Sequence, residues 1–279
     1  MNVIAAAILA PYIMVLGIAQ DGGYPQAGCV RPDCVAAWKN PALRRHVASL
    51  AIVDPISNQR WMIDATPDFA EQLSMLDSPK LDGILLTHAH IGHYLGLTQL
   101  GREVMGTRDV KVYAMPRMRA FLEHNGPWDQ LVRLHNVAIE SLEDGQEVKL
   151  NERITITPMI VPHRDEYSET VGFIVRGPSR SFLWLPDIDK WERWTTAIES
   201  VVARVDLAFV DGTFHDGREL PGRDLSEIPH PLMIETMKRL TAYSSKVRFI
   251  HLNQSNPALR DPSIVKPFQI AIERERMRL

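Results

Sequence analysis

Short apolar runs bounded by glycine, proline and aspartate recur along the whole chain. Pro11–Gly17 reads as a strand ending at glycine, and Asp21 to Pro32 as a long Gly/Pro-rich loop. Ser49–Val53 and Arg60–Ile63 read as a hairpin with turn residues between them. Phe69, Leu73 and Leu76 then recur at i, i+4 and i+7, one helical stripe. In front of them Thr66 suits an N-cap, Pro67 a first turn, and Asp68 complements the helix dipole. The pattern continues with a strand at Gly83–Thr87, a helix from Leu95 to Val104, a strand at Lys111–Ala114 and a helix from Pro116 to about Leu122. Strands follow at Ile154–Val161, Val171–Val175 and Ser181–Leu185, then a helix from about Lys190 to Val201. Asp206–Val210 is a strand, Pro231–Leu240 a helix, and Val247–His251 the last strand.

Each half thus carries strands followed by helix–strand units. That predicts an α/β fold of two mixed β-sheets packed face to face with helices outside, an αββα sandwich; a single doubly wound sheet is the alternative. No repeat or linker divides the chain, so residues 1–279 are read as one domain. A composition of 45% hydrophobic and 23% charged residues is that of an ordinary globular protein. The net charge of −3, with no Lys/Arg block, gives no reason to expect a nucleic-acid partner. No apolar run is long enough to span a membrane. Met1–Ala10 is apolar but lacks the positive start of a secretory signal, so it reads as a lead-in to the first strand ahead of a trimmed signal remnant. A cytoplasmic location is therefore favoured over a periplasmic one. Nothing in the sequence speaks to oligomeric state.

Chemistry concentrates in Thr87-His88-Ala89-His90-Ile91-Gly92-His93-Tyr94, where three of the ten histidines fall within six positions at the end of a strand. His88 and His90, two apart on extended chain, point the same way; His93 lies past the bend and reaches a second position. Imidazole is the commonest neutral metal ligand, so this spacing points to metal binding. Further donors stand where other apolar runs stop: Asp64, His163, Asp187 and His251. Their shared strand-end position predicts one convergent site on the rim of the sheets.

This series resembles the metallo-β-lactamase superfamily, which carries a strand-end aspartate, then His-x-His-x-Asp-His, then His, Asp and His. Within it, Leu16 to Gly23, Asp64-Ala65-Thr66-Pro67-Asp68 and Ile250 to Pro257 resemble the pyrroloquinoline quinone biosynthesis protein B group. The resemblance implies the αββα fold, with His88, His90 and His163 on a first metal, His93 and His251 on a second, and Asp187 between them. It implies that Asp64 stands behind the ligands, fixing an imidazole. Zn2+ is the implied metal, as one or two ions, with Fe or Mn as alternatives. Relatives carry a cysteine cluster in the first loop that holds a structural zinc. Here only Cys29 and Cys34 remain, and a site made with His230 or His215 is weighed against a local disulfide or two plain thiols.

The chain departs from the pattern at Gly92, where the superfamily has aspartate. A second metal would then rest on His93, His251 and Asp187, and Asp165, Glu166 and Asp189 are the nearby acids that could substitute. If no second metal binds, His93 and His251 become free for proton transfer. The histidine triplet is also fuller than that of the biosynthesis group, so that group's pathway role does not transfer. The leading expectation is a metal-dependent hydrolase using metal-bound hydroxide on an ester, amide, lactone or phosphodiester, with Asp187, His93 and His251 as catalytic residues and a small molecule or peptide as substrate. The alternatives are an iron-dependent oxidative enzyme and a metal-containing binding or carrier protein. Tyr94 is read as leaning into the site, Trp128 as a lid or a loop anchor, Trp191 and Trp194 as core, and His215 as an acid or base. His46, His124 and His135 are read as surface or helix-end residues.

Overall fold

A computed structural model describes residues 9–279; most of the apolar lead-in at Met1–Ala10 lies outside them. The strands, in chain order, are β1 (Tyr12–Gly17), β2 (Ser49–Asp54), β3 (Gln59–Ile63), β4 (Gly83–Leu85), β5 (Val110–Ala114), β6 (Val137–Ser141), β7 (Val148–Lys149), β8 (Thr155–Ile160), β9 (Val171–Arg176), β10 (Ser181–Leu185), β11 (Leu207–Asp211), β12 (Val247–Ile250), β13 (Gln269–Ile270) and β14 (Arg276–Arg278). The α-helices are α1 (Pro32–Lys39), α2 (Phe69–Ser74), α3 (Ile91–Tyr94), α4 (Pro116–His124), α5 (Trp128–Arg133), α6 (Ile198–Val202) and α7 (Met233–Arg239). They form two seven-stranded sheets, ordered β14-β1-β2-β3-β4-β5-β6 and β13-β12-β11-β10-β9-β8-β7. Both mix parallel and antiparallel pairs, as the αββα expectation requires.

The central strands are buried on both faces, and the period of two sorts their side chains. In β1, Ile13 and Val15 join the core shared with Phe173, Trp184, Phe209 and Phe249 of the second sheet. Met14 and Leu16, one residue out of phase, join the layer beneath Phe69, Leu97, Met118 and Leu122 of the covering helices. One sheet thus supplies one wall of the central core and the floor of an outer one.

Several helical expectations shorten. Asp68, not Thr66, precedes α2, and the Thr66 hydroxyl instead accepts from the Asp68 amide at 3.0 Å. Leu95–Val104 becomes a 3-10 turn over Leu95–Leu100 after the single turn of α3. Lys190–Val201 breaks into a 3-10 turn at Trp191–Arg193 and α6, with Trp191 buried as expected. Among the described residues no helix is long and apolar enough to cross a membrane.

Strand direction places the site. β3 and β4 run parallel, and β8, β10, β11 and β12 share one direction. The sheets are joined at that rim by chain leaving β1 and β12: Leu252 N donates to Ile18 O at 2.8 Å, and Gln20 N to Leu252 O at 2.9 Å. Residue 21 therefore arrives beside residue 251.

Candidate metal centre

Asp64, His88, His90 and His93 come from the ends of β3 and β4; His163, Asp187, Asp211 and His251 come from β8, β10, β11 and β12. The structure brings together all six residues expected to ligate metal, in overlapping groups: His88 with His90 and His163, and His88 with His93 and Asp187. His251 joins His93 in a third group whose remaining member is Asp21, a residue the sequence reading passed over.

Two Asp–Thr pairs stand behind the histidines. In the first, the Thr87 hydroxyl donates to Asp64 at 3.0 Å and accepts the Nδ1 proton of His88 at 3.0 Å. Asp64, fully buried, accepts from the Thr87 amide at 2.8 Å and from His93 Nδ1 at 2.8 Å. The second repeats the pattern. Thr213 donates to Asp211 at 2.7 Å and accepts from His251 Nδ1 at 3.0 Å, while Asp211 accepts from His230 Nδ1 at 2.7 Å. Asp64 and His251 hold this geometry at φ of +66° and +63°, a left-handed conformation costing about 1–2 kcal/mol per non-glycine residue. Such strain persists where the surroundings over-determine it, as this network of bonds does.

These bonds assign the ring protons. His88 and His93 spend Nδ1–H on Thr87 and Asp64, so Nε2 of each faces the site. His90 gives Nε2–H to Glu166 at 2.8 Å, so its Nδ1 faces the site. His88 Nε2 and His90 Nδ1 then lie 2.8 Å apart with no proton between them, although the Arg164 guanidinium reaches His90 Nδ1 at 3.1 Å. Both ring nitrogens of buried His163 lack a hydrogen bond. Three unprotonated nitrogens converging on one point are the donor set of a cation.

The second position is built differently. His93 Nε2 lies 3.1 Å from Asp187 Oδ2 and 3.2 Å from Asp21 Oδ1. His251 Nε2 lies 3.2 Å and 3.3 Å from the same two oxygens. His93 Nε2 and Asp187 Oδ2 make no well-directed hydrogen bond. Ring nitrogens facing carboxylate oxygens are held only by positive charge between them, a proton or a metal. In the protein alone that charge falls on protons: burial works against it, but Asp64, Asp187 and Asp21 hold the His93 imidazole well above its ordinary range. Burial first, and then the neighbouring imidazoles, push His88 well down and His163 down to about 4, against the pull of Asp187.

The remaining expectations sort as follows. Asp165, Glu166 and Asp189 do not fill the gap left at Gly92: Asp165 accepts from Thr170, Glu166 holds His90 from outside, and Asp189 pairs with Arg193. Cys29 and Cys34 form a disulfide, so their thiols are unavailable to a metal. His230 belongs to the main site instead, grouped with His163 and Asp187. His215 turns to Asp216 at 2.9 Å. Tyr94 packs against Phe121 and Trp128, which makes both anchors of an aromatic cluster. His46 is not a plain surface residue: it lies between Glu71 at 2.8 Å and Glu273 at 3.2 Å. Two signals in the sequence point to Asp21: an acid in the loop after the first strand, followed by Gly22-Gly23, and the missing acid at Gly92.

Known proteins share this architecture. The beta-lactamase superfamily domain matches residues 59–252. Coenzyme PQQ synthesis protein B of Xanthomonas axonopodis pv. citri is 26% identical over 88% of this chain and 91% of its own. The same protein of Methylobacterium radiotolerans is 25% identical over 90% and 92%. Among solved structures, Zn(2+)-bound PqqB from Methylobacterium extorquens superposes with a TM-score of 0.79 over 96% of this chain and 100% of its own, at 20% identity. A diphosphatase of the PhnP family gives 0.73 over 96% and 97%, at 22% identity. Fold, matched region and relatives agree: this chain belongs to the beta-lactamase superfamily, with the metallo-β-lactamase fold, and within it is similar to coenzyme PQQ synthesis protein B.

Proposed function

We propose that the protein is a metal-dependent hydrolase whose centre is held by His88, His90 and His163 at a first position, by His93 and His251 at a second, and by Asp187 between them. The observation that carries this is the 2.8 Å approach of His88 Nε2 to His90 Nδ1, the proton of each ring held by an outside partner, beside a His163 whose buried ring nitrogens make no hydrogen bond. Three neutral imidazoles are the donor set of an open zinc site. Bound there, the metal would lower the pKa of a coordinated water and polarise the bond to be broken.

The chain's own residues do the rest. Asp64 and Thr87 hold His93 and His88 in one tautomer, and a fixed orienting partner strengthens an imidazole ligand. His230 is the proposed proton donor to the leaving group. Asp211 holds its Nδ1, no hydrogen bond occupies its Nε2, and although burial lowers its pKa, Asp211, Asp187 and Asp21 raise it on balance. The substrate class is a small molecule or peptide bearing an ester, amide, lactone or phosphodiester.

Protein purified without added metal should carry zinc, iron or manganese. It should hydrolyse at least one member of a panel of those four bond types, and lose that turnover on chelation. His88→Ala should lose metal and turnover while keeping its circular dichroism. Undiminished turnover after chelation, or metal-free protein that binds none on titration, would overturn the reading.

A further inference from the structure

Gly92 stands where the superfamily pattern places a metal-binding aspartate, yet its φ lies outside the left-handed region. Backbone conformation therefore does not require glycine here. Space does. A β-carbon built on Gly92 would lie 2.6 Å from the Asp21 α-carbon and 2.8 Å from its Cγ, closer than side chains pack. The loop after β1 has moved into the volume a side chain at 92 would occupy, and its carboxylate is the third member of the group with His93 and His251.

We propose that Asp21 is the missing carboxylate ligand of the second metal position, delivered from the loop after β1 instead of from the first turn of α3, with Gly92 as the space that admits it. This rests on the metal-centre reading above. Three observations converge. Asp21 Oδ1 lies 3.2 Å from His93 Nε2 and 3.3 Å from His251 Nε2, so one oxygen serves both imidazoles. The loop is not free to choose: Ala19 and Gln20 are bound into the joint between the sheets through His46 O and Leu252 O, each at 2.9 Å. Just beyond, Gly23 adopts φ +68° and its amide returns to Gln20 O at 2.7 Å, a tight turn that places residue 21 at its corner. Two anionic oxygens, from Asp21 and shared Asp187, then offset a divalent charge that Asp187 and two neutral imidazoles would leave largely uncompensated. The second position is a full site and not a vestigial one. An acid at 21 and a side chain at 92 exclude each other.

The test is metal content and affinity, independent of turnover. Apoprotein is titrated with Zn2+, then with Co2+ to follow its absorption bands, for wild type, Asp21→Asn, Gly92→Ala and the double variant. Wild type should hold two ions per chain after dialysis. Asp21→Asn, near-identical in shape, should keep the first ion and weaken the second by about 100-fold. Gly92→Ala should do the same by displacing Asp21, and the double variant should lose little more than either single one, the non-additivity of two changes acting through one contact. Thermal unfolding of the four apoproteins checks that folding is intact. Two ions held equally tightly by Asp21→Asn would overturn the proposal and leave the metal centre standing. A wild type holding one ion would also overturn it. A wild type binding no metal would instead remove the reading beneath it.

Discussion

The rim is built twice, once from each sheet, and the two halves differ in how far apart their parts lie along the chain. Asp64–Thr87 and Asp211–Thr213 make the same bonds: threonine donates to aspartate and accepts from one histidine, and aspartate accepts from another. In the first half both histidines, His88 and His93, follow the threonine within six residues on one strand-to-helix turn. In the second half His230 arrives from the segment before α7 and His251 from the end of β12. The chemistry is matched while the assembly is not. The first half needs only the end of β3 and one strand-to-helix turn to meet; the second exists only when three segments have packed. Their outputs differ too. The first half turns its imidazoles toward both of the proposed metal positions, whereas the second turns His251 toward one of them and leaves His230 beside Asp187.

That comparison can be broken in order of effect. The largest change should come from Asp64→Ala. It removes a fully buried partner of His93 and two bonds of Thr87, and breaking such a buried pair costs about 3 kcal/mol or more. Urea unfolding of the apoprotein should show that loss, together with reduced occupancy of both metal positions. Asp64→Ala with unchanged stability would mean the local half is not held by this pair.

His230→Ala separates the halves. Turnover should fall by about 10²–10⁴-fold, the usual worth of a positioned acid, while metal per chain stays at the wild-type value. Loss of metal in step with turnover would make His230 a ligand and erase the contrast. Asp211→Asn should lie between, since it loosens His230 directly and His251 only through Thr213; a drop in turnover about 10-fold smaller than that of His230→Ala is expected.

The smallest effect concerns the support of the first-sheet loops. Glu273 first, then Glu71, hold His46 protonated against its partial burial, moving its pKa up to about 9. A histidine raised on folding stabilises fully below its unfolded value, near 6.5, and that contribution fades as pH rises through about 9. Wild type should therefore lose melting temperature between roughly pH 6.5 and 9 relative to His46→Gln, whose curve lacks this component. Parallel curves would show that the carboxylates do not act on His46.

Legibility follows the same division. His88, His90 and His93 were readable because one short turn carries them, and the strand-end positions of His163, Asp187 and His251 were readable from where apolar runs stop. The missed parts were those with no periodic context. His230 sits in Ile228-Pro229-His230-Pro231, which names no strand end, so nothing in the sequence groups it with the rim. The acids close in sequence to the other candidate ligands are Asp165, Glu166 and Asp189, whereas Asp21 lies 71 residues before Gly92. Short helices were overdrawn because an apolar stripe persists through the 3-10 turns that follow α3 and precede α6.

By itself, the sequence determined the strands, through the short apolar runs that become β1 to β5 and β8 to β12, and the local histidine turn, because neighbouring residues on one turn share a position whatever surrounds them. Tertiary structure alone decided that Asp21 meets His93 and His251, that Gly92 must be small, and that His230 joins the rim. Those contacts depend on which strand ends lie side by side in two packed sheets, and sheet order bears no fixed relation to separation along the chain.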